Sequence, residues 1–394
     1  MSSLIWRYVA LIMAAALMGP LIADRLRRWV AIPTVVVEIA LGIILGPAIL
    51  GWVHDGDVVG ALADLGVMML FFLAGYEVDF RRIAGKPIKL ATVGWICSFA
   101  VGLLVAGIAT RDLGATMVVA VAVSTTALGT ILPIVRDAGL LPQPLGARIM
   151  AVGAIGEFAP MIAIALFLSG ARPGRTIIAL VLFVLLTVGA ALLAMREPSE
   201  RLRRLLTATL GTSAQFAVRL CLLAAVAFVW IAVALNLDMI MGAFAAGITM
   251  KLVLATISEH EAEQVESKLD GIGFGLLIPI FFVMTGVRFD LRALLASPKA
   301  LLLLPLVLLL FLLARGLVTY VVHRNDQPEP QRRQLALFAA AQLPLVVVAT
   351  DLGVERGFIG PDIAASMVGA AMLSVAIYPL LALRVPSRPA PALP

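Results

Sequence analysis

Glu157 is the residue on which chemistry in this chain can turn. It stands in the run LGARIMAVGAIGEFAPMIAIALFLSG, from Leu145 to Gly170, about 12 residues or ~18 Å from either end if the run is helical. A short side chain at that depth cannot reach water. A carboxylate at the centre of a bilayer costs about 2.5–3.5 kcal/mol, so such a group usually faces an interior cavity and serves a purpose there. Removal from water disfavours the charged form, which lets one carboxyl hold either a proton or a cation. The competing reading is a protonated Glu hydrogen-bonded to a neighbouring helix. Pro160, three residues on, has no N–H and is placed to free a carbonyl near it.

Two further apolar runs are interrupted by polar residues and a proline at matching depth: VSTTALGTILP, with Ser124, Thr125 and Thr126, and AAAQLPLVVVATDLG, with Gln342 and Thr350. Secondary transporters place such interruptions where two half-helices meet, so that freed backbone groups and helix ends bind ions at the membrane midplane. A Ser/Thr-rich packing interface is the alternative. Hard monovalent cations require oxygen ligands, which these side chains supply. Arg315, in LLARGLV, lies about 7 residues or ~10 Å from its helix end, within reach of snorkelling. Arg148 and Arg219 lie nearer helix ends, and snorkelling is the preferred reading for both. Glu38, inside IPTVVVEIALGIILGP, either lines a pathway or makes a structural hydrogen bond.

The elements that must position these residues follow from composition. The chain has 394 residues, 62% of them hydrophobic and only 14% charged, with a mean hydropathy of +1.06. No soluble core hides that much apolar surface. The runs stay apolar for about 20 residues without alternating, which selects membrane helices over a barrel. About 13 spans are centred near Ala14, Ile39, Leu70, Phe99, Ser124, Glu157, Leu186, Ala225, Phe244, Pro279, Leu309, Leu343 and Ala371. The first is kept as a span and not a signal peptide, because another span follows at once.

The net charge of +6 and pI near 9.7 reflect topology and not nucleic acid, since the basic residues fall in small groups between apolar runs. Arg25, Arg27 and Arg28, then Arg81, Arg82, Lys86 and Lys89, then Arg196, Arg201, Arg203 and Arg204, then Arg324, Arg332 and Arg333 mark cytoplasmic loops and put the N-terminus outside and the C-terminus inside. Cys97 and Cys221 fall in apolar stretches without disulfide or metal spacing, and His54, His260 and His323 are read as solvated loop residues. The longest soluble stretch is the acidic segment Glu259 to Glu266, and no soluble regulatory domain is expected. No Gly-x-x-x-x-Gly-Lys phosphate loop is present, which excludes a self-contained ATP-driven pump of that type. No cofactor is expected.

An odd count of spans allows two six-helix halves of opposite orientation, a first repeat of about 1–171 and a second of about 212–385, joined by a linker helix of about 175–195 within a single membrane domain. The chain also resembles the monovalent cation:proton antiporter-2 family of the sodium/hydrogen exchanger superfamily, over nearly its whole length. The resemblance rests on Pro33, Glu38, Gly42, Gly46 and Pro47; on LGVMMLFFLAGYEVDFRRI with Gly75, Glu77 and Asp79; on Ser124 to Thr126; and on Gly242, Gly247, Phe281, Phe282 and Gly286. It implies an all-α fold with crossed broken helices, exchange of Na⁺ or K⁺ for H⁺ by alternating access at Glu157, and a homodimer in the inner (plasma) membrane. It also implies that Arg315 pairs with the acidic site or supports the helix crossing. The family commonly carries two adjacent acidic or amide residues in the sixth span, whereas here the pair is Gly156 and Glu157. A single carboxylate implies one proton per cation, hence electroneutral exchange, and Gly156→Asp would restore the pair. A channel or uniporter, a proton-coupled symporter of the same fold, and a non-transporting membrane sensor are the alternatives. A pore would need a carbonyl ring, a sensor would usually carry an output domain, and an intramembrane enzyme a paired constellation; the spans show neither ring nor constellation.

Overall fold

The computed structural model describes residues 2–26, 33–78, 83–168, 173–194, 208, 209, 212 and 214–386. Among these residues every regular element is a helix: α1 Ser2–Leu26, α2 Thr34–Leu45, α3 Asp57–Glu77, α4 Lys86–Thr110, α5 Leu113–Val123, α6 Leu128–Asp137, α7 Pro144–Ala163, α8 Pro173–Ala194 and α9 Phe216–Ala234. There follow α10 Met239–Leu254, α11 Glu259–Ile272, α12 Ile278–Arg288, α13 Leu291–Ala296, α14 Pro298–Phe311, α15 Val318–Val322, α16 Glu329–Ala339, α17 Pro344–Glu355 and α18 Pro361–Arg384. Among the described residues eleven helical segments are long and apolar enough to cross a membrane, and α2 and α10 are shorter apolar helices. Together they are the thirteen spans read from the sequence.

The chain divides into two units that each draw on both halves. The first comprises residues 1–22, 37–78 and 165–289, and the second residues 23–36, 79–164 and 290–394. Spans 1–3 thus group with 7–10, and spans 4–6 with 11–13. Within the first unit, glycines permit backbones to touch. A β-carbon at Gly75 would collide with the Phe244 carbonyl of α10, and one at Gly247 with the Phe72 carbonyl of α3. Gly42 and Gly286 play the same part where α2 meets α12. In lipid, where apolar faces gain nothing by leaving the solvent, such close approach is what packs helices together.

Local chemistry sets the ends. Asp112 caps α5 by accepting from Ala115 N at 2.7 Å, Asp238 caps α10 through Ile240 N at 2.9 Å, and prolines open α7, α14, α17 and α18, where a missing N–H costs nothing. The acidic segment is helical. Ser258 and Glu261 form a reciprocal capping box at the start of α11, which satisfies two orphan donors.

Two expectations change. His323 is not a solvated loop residue; it closes α15 at 1% exposure, with Nδ1 2.9 Å from the Thr319 carbonyl. Arg148 does not snorkel either, since its Nε donates to Asp326 at 3.0 Å, and Lys86 Nζ lies 2.9 Å from the same carboxylate. Asp79, Arg27, Arg28, Arg81, Arg82, Arg172, Arg196, Arg201, Arg203 and Arg204 lie outside the described residues.

Asp326 ties α4 and α7 to the connection before α16. Burial pushes its carboxyl pKa up, but the hydrogen bonds and charges of Arg148 and Lys86 outweigh that and bring it from 3.8 down to about 2. A carboxylate with a depressed folded pKa contributes stability that is present above its unfolded value and is lost as pH falls through the folded one. Asp326→Asn leaves Arg148 unpaired, and breaking a buried pair costs about 3–5 kcal/mol. The low end applies here because the Arg148 and Lys86 side chains are 19% and 62% exposed. The solubilised variant is expected to melt several degrees lower from neutral pH down to about pH 5, and the gap to close as pH drops from about 4 towards 2. An unchanged gap across that range would assign the loss to packing instead.

Candidate functional site

The second unit contains both interrupted spans, and each is broken where the sequence places its polar residues. The first unwinds at Ser124–Ala127 between α5 and α6, the second at Ala340–Leu343 between α16 and α17. Unwinding strips backbone groups of their helical partners, and in hydrocarbon each must be satisfied by protein. The two breaks satisfy one another. Ala127 N donates to the Ala341 carbonyl at 2.8 Å, Thr126 Oγ1 to the Ala339 carbonyl at 2.9 Å, and Gln342 Nε2 to the Val123 carbonyl at 3.0 Å. Ser374, on α18, accepts from Gln342 N at 2.9 Å and donates to the Gln342 carbonyl at 3.0 Å. One hydroxyl thereby serves both backbone groups of a residue that has left its helix.

Span 6 runs past this crossing and is bonded to it. Pro160 lacks the N–H that would reach the carbonyl of Gly156 four residues back. That carbonyl instead accepts from Thr126 N at 3.0 Å. One residue on, Glu157 is 2% exposed, and its Oε1 accepts from Gly129 N in the first turn of α6 at 3.2 Å. The free N–H groups and dipole of a helix start favour a carboxylate there. Its Oε2 is buried and has no partner among the described residues. Thr125, Thr126, Ala127, Glu157, Leu343, Pro344 and Leu345 line a pocket too narrow to admit water. Glu157 thus lines a narrow pocket together with residues at the starts of two half-helices, α6 and α17.

Arg315 sits in a π-helical turn, Leu312–Leu317, between α14 and α15. It is fully buried, which rules out snorkelling. Its Nε donates to Thr126 Oγ1 and its Nη2 to the Val152 carbonyl, both at 2.9 Å, while Nη1 has no partner. Since the Thr126 proton is committed to Ala339, its lone pairs are free to receive the guanidinium. Among the described residues Arg315 and Glu157 form no ion pair. Two groups able to carry opposite charge are both bonded to the first break and its following helix, but not to each other.

The remaining candidates separate. Ser124 donates to Val121 and Thr125 to Ala122, each through its hydroxyl and at 2.9 Å; Thr125 lines the pocket and Ser124 does not. Gln342 stands at the second break with Oε1 buried and unpartnered. Thr350 is turned back onto the Val346 carbonyl at 2.8 Å. Glu38 belongs to the first unit, where it is 4% exposed with no hydrogen bond to its carboxylate among the described residues. Ser374, the Gly129 N–H and the Val152 carbonyl went unnoticed in the sequence. A lone Ser in AAMLSVAIYP was the single available signal, and backbone groups leave none.

Two broken helices bonded to one another at their breaks, in a chain with thirteen apolar helical spans among its described residues, define a polytopic helical membrane protein. Residues 12–383 match the family described as sodium/hydrogen exchanger, transmembrane, and the chain belongs to that family. It is 26% identical to YjbQ of Bacillus subtilis (strain 168), over 94% of this chain and 62% of that protein. It is 24% identical to the Na(+)/H(+)-K(+) antiporter GerN of Bacillus cereus, over 65% of each chain. The chain therefore covers less than two thirds of the length of either relative. The solved structure of the sodium proton antiporter MjNhaP1 from Methanocaldococcus jannaschii at pH 8 superposes with a TM-score of 0.64 across 97% of this chain and 96% of that one. At 14% identity that likeness establishes the fold.

Proposed function

We propose that the chain is a secondary active antiporter that exchanges Na⁺ or K⁺ for H⁺ at Glu157 by alternating access. The observation that carries the reading is the buried, unpartnered Oε2 of Glu157 in a dry pocket at the crossing of two broken helices. A carboxyl there holds a proton in one half of the cycle and a cation in the other. The Thr125 hydroxyl oxygen and the backbone oxygens of Thr125 and Thr126 complete the cation's shell. Because the pocket is closed to water in this conformation, the helices around it must move before either ion enters or leaves, and the duplicated halves supply two equivalent arrangements for doing so. Family membership and the GerN relative, whose name covers both Na⁺ and K⁺, support the cargo. Exposed apolar side chains on α8, among them Ile178, Leu185 and Leu193, suit lipid. A homodimer in the inner (plasma) membrane, with the N-terminus outside and the C-terminus in the cytoplasm, completes the proposal.

The test is reconstitution into liposomes carrying a trapped pH dye. Addition of Na⁺ or K⁺ on one side should move protons the opposite way, and choline should not. Cation flux without coupled proton movement would favour the uniporter, and co-directional movement the symporter. Arg315→Ala is expected to reduce exchange at least about ten-fold, because Thr126 and Val152 lose donors worth about 1.5–3 kcal/mol each when charged. Arg148→Ala should lower the melting temperature while changing the exchange rate of the folded protein less than about two-fold, since its side chain bonds Asp326 and the Pro144 carbonyl and no residue of either break. Equal losses of exchange in the two variants would remove Arg315 from its special place.

A further inference from the structure

Gly156 lies where span 6 meets both the first break and Arg315. Its carbonyl holds Thr126 N at 3.0 Å. A β-carbon built on it would stand 2.7 Å from Arg315 Nη2 and 2.7 Å from both Cβ and Oγ1 of Thr126, closer than packed atoms tolerate. Of the two neighbours, Thr126 is held by three bonds: its N–H to Gly156, its hydroxyl to Ala339, and the Arg315 bond it accepts. The guanidinium of Arg315 is the planar tip of a flexible chain, held by two bonds, Nε to Thr126 and Nη2 to Val152, with Nη1 unbonded among the described residues. A side chain at 156 therefore displaces the guanidinium first.

We propose that Gly156 is a positioning residue for Arg315, its missing side chain forming the seat in which the guanidinium lies against α7 beside the pocket. This deepens the exchange-site reading and rests on it for its functional consequence. Position 156 carries either a side chain or, through Arg315, a fixed positive charge. Gly156→Asp, expected from sequence to restore a pair of acids, instead unseats Arg315 and loosens the Thr126 hydroxyl that Arg315 holds. The departure from the acidic pair is thus a steric exchange of one group for another, and not merely the loss of a carboxylate.

A double-mutant cycle tests it, using wild type, Gly156→Ala, Arg315→Lys and the double variant, each measured for Na⁺-driven proton flux in proteoliposomes and for melting temperature in detergent. Lys keeps the charge but ends where the guanidinium carbon stands, so it vacates the Nη2 position. Gly156→Ala alone is expected to lower flux about five-fold or more, and in the Arg315→Lys background less than about two-fold, the double variant exceeding Gly156→Ala alone. Melting temperatures should show the same non-additivity. An equal loss in both backgrounds places the clash on Thr126 and overturns the proposal, as does no loss in either. If Gly156→Ala does not fold, recovery of folded protein in the double variant supports the proposal and failure to recover overturns it. The melting cycle does not depend on what is carried. A wild type that moves no protons in response to cations defeats the antiport reading while leaving the seat to be judged by melting.

Discussion

Glu157→Gln is expected to reduce cation-driven proton movement to the rate of protein-free liposomes while leaving the solubilised protein folded. The amide matches the carboxyl in size and can still accept from Gly129 N through its oxygen, so the bond at 3.2 Å survives and helix packing is undisturbed. What it cannot do is bind and release a proton, or offer a full negative charge to a desolvated cation. A carboxylate in a dry site interacts with a monovalent ion far more strongly than a neutral amide does. The pairing of an intact melting curve with absent exchange distinguishes a transport residue from a structural one. Exchange at more than about a tenth of the wild-type rate would overturn the assignment of Glu157.

Voltage independence is the second large effect. With Gly156 in place of a neighbouring acid, the pocket holds a single carboxyl. On the antiport proposal Glu157 would trade one proton for one monovalent cation, with Arg315 keeping its bonds to the neutral oxygens of Thr126 and Val152. A cycle that moves no net charge gains nothing from the membrane potential, which is worth about 2.3 kcal/mol per charge per 100 mV. At 100 mV an exchanger moving one net charge would shift its equilibrium cation ratio about 50-fold, and an electroneutral one not at all. Proteoliposomes clamped with K⁺ and valinomycin read this directly for Na⁺, after K⁺ has been shown to drive no proton movement of its own. A reversal point that follows the clamped potential would bring a second group into the cycle. Glu38, buried in the first unit with no hydrogen bond to its carboxylate among the described residues, is the first to replace, and a change in the charge of Arg315 the second to test.

Much of this was legible in the amino-acid sequence because the bilayer restricts what a sequence can mean. Long apolar runs must be helices, so thirteen spans could be counted from composition, including the short α2 and α10 that length alone would miss. A polar residue in hydrocarbon needs a reason, which marked Glu157, Arg315 and both interrupted spans. Proline chemistry is local, so Pro160 foretold a freed carbonyl nearby. The family's glycines were visible as a pattern, but their reason was not: Gly75 meets α10 and Gly42 meets α12 only once distant helices are packed.

What the tertiary structure alone decided is who satisfies whom. Position along the helix leaves snorkelling open for Arg315, which the fold buries at the crossing, and favours it for Arg148, which the fold pairs with Asp326. A helix position specifies how far a side chain is from the membrane surface, but not whether a neighbouring helix occupies the way there. Asp326, 178 residues from Arg148, lay ready to receive one arginine, and the crossing received the other. Glu157 is stabilised by a backbone N–H at the start of a half-helix and not by a cation, an arrangement in which no side-chain identity is involved. Gly156 looked like an absence until its empty β-carbon position proved to be where Arg315 lies. Spacing along the chain determines which groups enter the membrane interior. Contacts between residues far apart in sequence determine which of them are left unpaired there, and the unpaired groups are the ones free to bind an ion.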